Sequence, residues 1–376
     1  MLLKQRSEHK IMARTKRASE TEGSRETAAS SDIRKLAAEM RATLRNGVGE
    51  DAMPDPLAQG HVTAHTSGLL SLDLALGIGG WPRARVNYLA GPKSSGKTTL
   101  TLKKISVEQA RLPNSIHALV DVEQAYSESL AHLCEVNTDP DRFIVVQPHT
   151  AEDAFKACMM LMGHDTTDKG RTWEQKRQGV STLVYDSWAG SPTEEVGMAT
   201  LARVGAMWWP KMTSVIRQTD SLFFVINQIR LKPGVVFGNP EYEPGGEALQ
   251  HAISMRATVH KVEVEKNADK REIGHMMKVK IGKNKVGAPG GEAKLRFNYY
   301  TGFDYLSDAM SVLDFKKVSL KEKPDGNVLV FIDPESGEVL ARGNGEKAFL
   351  DEMRTDPDTA QKFLEYARQQ ALGVAA

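Results

Sequence analysis

Gly91-Pro92-Lys93-Ser94-Ser95-Gly96-Lys97-Thr98-Thr99 has the spacing G-x-x-x-x-G-K-[ST] of a loop that wraps a polyphosphate. Its backbone amides can point inward at the anion. Gly91 and Gly96 allow angles and close approach that a side chain blocks. Lys97 would neutralise the outer phosphates, and the Thr98 hydroxyl would ligate Mg²⁺. Two carboxylates complete the set. Leu183-Val184-Tyr185-Asp186 is an apolar strand ending in an acid, suited to hold Mg²⁺ directly or through water. Glu123, after Asp121 and Val122, is the candidate to orient and polarise an attacking water. A solvated strand end is the plain alternative for Glu123. Lys283 and Lys285 lie two apart on an alternating stretch, so they share a face and an anion between them would relieve their repulsion. A solvated basic turn is the plain alternative there.

The elements that must position these groups follow from apolar patterning. Arg85–Ala90, His117–Val122, Phe143–Gln147, Thr182–Asp186 and Leu222–Asn227 are continuous apolar runs, as expected of strands buried on both faces. Helical patterns lie between them, which predicts a mainly parallel, doubly wound α/β sheet. In such sheets ligands sit at the carboxyl ends of strands. The phosphate loop, Asp121/Glu123, Asp186 and Gln228 all fall there. Met255–Glu265, Met276–Lys285 and Ala293–Tyr299 alternate and predict an antiparallel extension. Residues 1–30 read as a polar tail, within which Met12 offers a second start. Residues 31–60 read as a helix and linker, 61–302 as the core, and 303–376 as a small C-terminal α/β domain.

Charge and cysteine content narrow the class. The net charge of +1 gives no global basic field, so any nucleic-acid contact must rest on local patches. Cys134 and Cys158 have no metal-ligand spacing and fit free thiols in a reducing compartment. No apolar run is long enough to span a membrane, and the N-terminus lacks the apolar stretch of a secretory signal. The expected location is cytoplasmic.

From about Val62 to the last helix the sequence resembles the RecA family of homologous-recombination ATPases. The resemblance is carried by Gly68 to Gly80, the phosphate loop running on through Leu100-Thr101-Leu102, Asp121-Val122-Glu123-Gln124-Ala125, and Asp186-Ser187. Its most specific part is Phe224-Val225-Ile226-Asn227-Gln228-Ile229-Arg230 leading to Gly234-Val235-Val236-Phe237-Gly238-Asn239-Pro240-Glu241 and Gly245-Gly246-Glu247-Ala248-Leu249. Lys283-Asn284-Lys285 and Gly345-Glu346-Lys347-Ala348-Phe349-Leu350 add to it.

The resemblance implies a RecA-like P-loop ATPase core that uses ATP and Mg²⁺. It implies single- and double-stranded DNA as partners, a homo-oligomeric helical filament, and DNA-dependent hydrolysis coupled to strand exchange. Glu123 then matches the catalytic glutamate, and Gln228 the γ-phosphate sensor that opens the second DNA loop. In that loop Arg230 and Lys232 would meet phosphates, Val236 and Phe237 would wedge between bases, and Gly245 and Gly246 would close it. The first DNA loop would span Glu194 to Met207 with Arg203 as its phosphate ligand. Lys283 and Lys285 would reach a neighbouring subunit's γ-phosphate. Some positions depart from the family pattern. The segment between Asp186 and Gln228 is short, His251 replaces an interface aromatic, and Tyr126 is left as a substitute adenine contact. A hexameric helicase with the same core is the competing reading. Gly238-Asn239-Pro240-Glu241 and the C-terminal domain weigh against it.

Overall fold

The computed structural model describes residues 35–43, 62–163, 179–197, 199–231, 241–313 and 326–373. The chain divides at Val62 into two units. In the first, residues 35–43 form a helix, α1, with Leu36 and Met40 exposed.

The second unit opens with β1 (Ala64–His65), α2 (Leu70–Leu76) and β2 (Trp81–Pro82). Strands and helices then alternate as β3 (Arg85–Gly91), α3 (Lys97–Arg111), β4 (His117–Asp121), α4 (Glu128–Leu133) and β5 (Phe143–Val146). Next come α5 (Ala151–Leu161), β6 (Thr182–Asp186), α6 (Thr200–Thr219) and β7 (Leu222–Gln228). After the short β8 (Arg230–Leu231), β9 (Glu241–Tyr242) and α7 (Glu247–Ala252) lie β10 (Ile253–Lys266), β11 (Glu272–Asn284), β12 (Glu292–Asn298) and β13 (Gly302–Phe303). The predicted strands are all present, most shifted by a residue or two at their ends.

These strands form one sheet in the order β13-β12-β11-β10-β3-β7-β6-β4-β5. Neighbours from β10 to β5 run parallel, and the β10-to-β13 side is antiparallel. Successive side chains of a strand face opposite ways. Val86, Tyr88 and Ala90 therefore enter one core with α5, α6 and α7, while Leu89 enters the other with α2, α3 and α4. Burial on both faces accounts for the apolar runs in the sequence. On β11 only Met277, Val279 and Ile281 face a core, which accounts for the alternation there.

A third core is built from α8 (Tyr305–Val312), β14 (Val328–Ile332), β15 (Val339–Asn344), α9 (Gly345–Met353) and α10 (Pro357–Leu372). Leu70 of α2 is part of it. The backbone amide and hydroxyl of Ser71 both donate to Asp308, which is buried, and Arg368 reaches Asp73 at 3.4 Å. Burial pushes the Asp308 carboxyl up to about 6.

Charge is also buried under the sheet. Glu108 of α3 is inaccessible, and His65, Arg83, Lys104 and Arg111 all approach it. Lys104 is inaccessible too, and burial lowers its ammonium to about 8 despite the carboxylate beside it. Removing one partner of such a pair leaves the other charge unsolvated. Glu108→Ala should therefore lower the unfolding free energy by about 3–5 kcal/mol. The apolar pair Lys104→Met/Glu108→Leu should regain most of that loss. Urea denaturation measures both, and wild-type stability in Glu108→Ala would refute the role given to the cluster.

Candidate active site and its loops

β3 ends in Gly91 and α3 begins at Lys97, so the phosphate loop joins a buried strand to a helix N-terminus. The amides of Lys97, Thr98 and Thr99 fall in the first turn and have no intrahelical acceptor. That end also carries the positive end of the helix dipole. Gly96 precedes it with φ of +95°, and a β-carbon there would lie 2.1 Å from the Met277 sulfur. The close packing of β11 thus demands glycine as much as any ligand would. Lys97 Nζ donates to the carbonyls of Gly91 and Pro92, at 3.0 and 2.6 Å, and to Ser95 Oγ at 3.4 Å. Burial lowers its pKa, opposed by the charges of Asp186 and Glu123. A buried ammonium resting on loop carbonyls beside bare amides is arranged to receive a polyanion.

Asp186 ends β6 at the same rim, and its Oδ2 accepts a hydrogen bond from Thr98 Oγ1 at 2.6 Å. Burial raises this carboxyl to about 6, with the nearby Glu123 charge adding and the Thr98 bond and Lys97 opposing. Among the described residues no three His, Cys, Asp or Glu side chains are grouped to hold a metal. A lone carboxylate–hydroxyl pair suits Mg²⁺, which keeps several waters and takes further ligands from phosphate. Thr98 and Asp186 are therefore the residues that would hold it.

Asp121 and Glu123 have separate roles. Asp121 is buried and accepts from the amides of Ala125 and Tyr126 and from Gln147 Nε2, at 3.2, 2.9 and 3.0 Å. It pins the turn after β4. Glu123 projects from that turn into solvent. Its Oε1 accepts from Ser187 Oγ and from Gln228 Nε2, the latter at 2.5 Å. Thus the ends of β4, β6 and β7 meet on one carboxylate oxygen. Ser187, part of the Asp186-Ser187 motif but given no role by it, is one of the two donors. Its position straight after the strand-terminal Asp186 was the available signal. Tyr126 is half-buried, with its ring 6.0 Å from that of Phe143.

The lysine pair lies at the end of β11 and just beyond it. Lys283 Nζ donates to the Gln250 carbonyl at 2.8 Å, and Lys285 Nζ to the His251 carbonyl at 3.0 Å. Both acceptors belong to the last turn of α7, the negative end of a helix. Burial and the charges of Lys285 and Arg256 lower the Lys283 pKa. The two ammonium groups thus meet at the C-terminal end of α7, Lys283 half-buried and Lys285 exposed.

The loops differ more from expectation. Residues 200–207 lie in α6, so the expected first loop is helical from Thr200 onward. Continuous apolar spacing from Leu201 to Ile216 on one face drives that helix. Arg203 lies within it and pairs with Glu195. Trp209 is fully buried and Trp208 stacks on Phe155, as core residues. Arg230 is exposed on β8, opposite Tyr242. Lys232, Val236 and Phe237 fall outside the described residues. Gly245 and Gly246 take positive φ, and a β-carbon on Gly245 would lie 1.9 Å from Trp188 Nε1. Packing against Trp188 is thus a physical reason for glycine at 245.

The raised Asp186 pKa fixes a pH dependence. A proton on Asp186 competes with a divalent cation, so Mn²⁺ binding with nucleotide should weaken as pH falls from 7 to 5. Below about 6 the loss should approach about tenfold per pH unit, the slope for one competing proton. The folding contribution has the opposite sense. Because the folded pKa lies above the unfolded one, Asp186 favours folding below its unfolded pKa, and this is lost as pH rises through about 6. Mn²⁺ titrations of wild type and Asp186→Asn measure the first effect. An identical pH profile in the two proteins would assign the proton to another group.

Comparison with known proteins places the chain in a family. The pattern of the RecA N-terminal domain matches residues 52–304. Protein RecA of Geobacter metallireducens is 36% identical over 285 residues, covering 74% of this chain and 77% of that protein. Protein RecA of Teredinibacter turnerae is 33% identical over 83% of this chain and 86% of its own length. A match over residues 52–304, with relatives at 33–36% identity over about three quarters or more of each chain, means that the chain belongs to the RecA family.

Proposed function

We propose that this protein is a DNA-dependent ATPase that forms helical filaments on single-stranded DNA and exchanges strands with a homologous duplex. The observation that carries the reading is the convergence of Ser187 and Gln228 on Glu123 Oε1, beside the Thr98–Asp186 pair. Two donors on one oxygen fix the carboxylate plane and leave Oε2 to accept a proton from water. Gln228 both touches Glu123 and precedes Arg230, so a group entering at the phosphate loop competes for the residue that starts the expected DNA loop. Mg²⁺, when bound, offsets charge on the phosphate oxygens. Lys97 and the first-turn amides bind and orient the triphosphate, and Glu123 orients water for in-line attack.

Lys283 and Lys285 act in this scheme on the site of the next subunit. Held by α7 carbonyls, they present charge at the surface and stabilise phosphoryl transfer only once subunits align. DNA stimulates hydrolysis because it aligns them. ATP binding favours the DNA-competent assembly, and hydrolysis releases it.

Glu123→Gln should retain ATP binding and assembly but lose turnover by about 10²-fold or more, the usual contribution of a positioned base. Lys283→Ala/Lys285→Ala should be nearly inactive alone. Mixed with Glu123→Gln protein it should regain DNA-stimulated hydrolysis, at interfaces pairing an intact glutamate with intact lysines. No recovery on mixing, or a wild-type rate in the lysine variant alone, would refute action across the interface. Electron microscopy with single-stranded DNA and ATP separates filaments from the rings of a hexameric helicase.

Arg230→Ala/Lys232→Ala should weaken single-strand binding and flatten its dependence on log salt, by about one unit of slope for each phosphate the variant no longer neutralises. An unchanged slope would remove this segment from the DNA groove.

A further inference from the structure

Two dipeptides hold the catalytic rim, and each also faces away from it. Ser187 and Gln228 donate to Glu123. Their neighbours Trp188 and Asn227 reach the other end of the segment that begins at Ile229. Asn227 Nδ2 donates to the Pro244 carbonyl at 2.9 Å, and Trp188 Nε1 to the Gly245 carbonyl at 3.0 Å. The pairs are also tied to each other, since Asn227 Oδ1 accepts from the Ala189 amide at 2.9 Å and the Ile226 carbonyl accepts from Trp188 N at 3.0 Å.

The Trp188 ring has little freedom. It is fully buried among Phe155, Tyr185 and Trp209, with ring centroids 5.5, 6.2 and 5.4 Å away. The Gly245 backbone lies against its N–H, where no β-carbon fits. Just upstream, Glu243 accepts from Tyr88, Gln250 and Arg256. Pro244 and Gly245 are therefore anchored by side chains adjacent in sequence to the residues that hold Glu123.

We infer that Trp188 is a positioning residue that transmits nucleotide occupancy at Glu123 and Gln228 to the Pro244–Gly245 end of the DNA-facing segment. The inference rests on the functional reading above. A displacement of Gln228 by nucleotide moves Asn227 with it, because neighbours on β7 share one backbone and point to opposite sides, and a displacement of Ser187 moves Trp188, the next residue in the turn after β6. The two anchored carbonyls then shift in register with the γ-phosphate.

Trp188→Phe tests this, because it keeps a buried aromatic ring and removes the N–H. Single-stranded DNA affinity is measured with and without a non-hydrolysable ATP analogue, and nucleotide affinity with a fluorescent ATP. In wild type the analogue should strengthen DNA binding. In Trp188→Phe that enhancement should fall about tenfold, equivalent to about 1.4 kcal/mol, the scale of one buried hydrogen bond. Nucleotide affinity and nucleotide-free DNA affinity should stay within about twofold. An unchanged enhancement, or an equal loss of nucleotide affinity, overturns the inference while leaving the function standing. A wild-type protein without nucleotide-enhanced DNA binding overturns the functional reading instead. Should the variant not fold, hydrogen exchange on wild type decides. The analogue alone, without DNA, should slow exchange of amides in residues 245–249, and no change there overturns the inference.

Discussion

Parallel strands bring their carboxyl ends to one rim, and the hydrogen bonds on Glu123 Oε1 are where that constraint becomes chemistry. β4 delivers the glutamate, β6 delivers Ser187 and β7 delivers Gln228. The three strands are adjacent in the sheet in the order β7-β6-β4. The ladder between them therefore sets the geometry of the donors. A register slip of one residue would turn each of these groups to the opposite face. The two buried cores, one on each side of the sheet, make such a slip costly.

The same sheet explains the placement of the phosphate loop. β3 lies between β10 and β7, so Gly91 sits in the middle of the rim. The Ile229 amide donates to the Gly91 carbonyl at 3.1 Å, and Lys97 donates to that same carbonyl. The start of the loop and the exit of β7 are thus one hydrogen-bonded unit. Burial weakens the hold of Lys97 on its proton, and the acids opposite restore part of it. That balance keeps a cation in a place where water alone would not solvate it.

Charge inside the fold serves two different ends. Around Glu108 the side chains of His65 and Lys104 are closed off, and the cluster ties β1 and the approach to β3 onto α3. At Lys283 and Lys285 the cations remain partly open, supported by the carbonyl end of α7. A buried cluster satisfied from within has no need of a ligand. A solvent-facing pair that repels itself favours an anion.

The phosphate loop, the strand-terminal acids and the parallel arrangement were legible in the sequence because each depends on local spacing. A glycine loop between strand and helix, an acid ending an apolar run, and runs buried on both faces are all contained within a few residues. The alternation of β11 likewise announced one buried face and placed Lys283 and Lys285 together. Tertiary structure decided what depends on strand order and on contacts distant in sequence. Nothing local to Trp188 marks its role, since its bond to Gly245 spans 57 residues. Ser187 meets Glu123 only because β6 pairs with β4. The start of α6 at Thr200, within the expected loop, follows from an apolar face that packs on α5 and β7. Residue types and spacing fix which groups can do chemistry, but hydrogen bonds between non-adjacent segments fix which of them touch, because those distances arise only when the sheet closes.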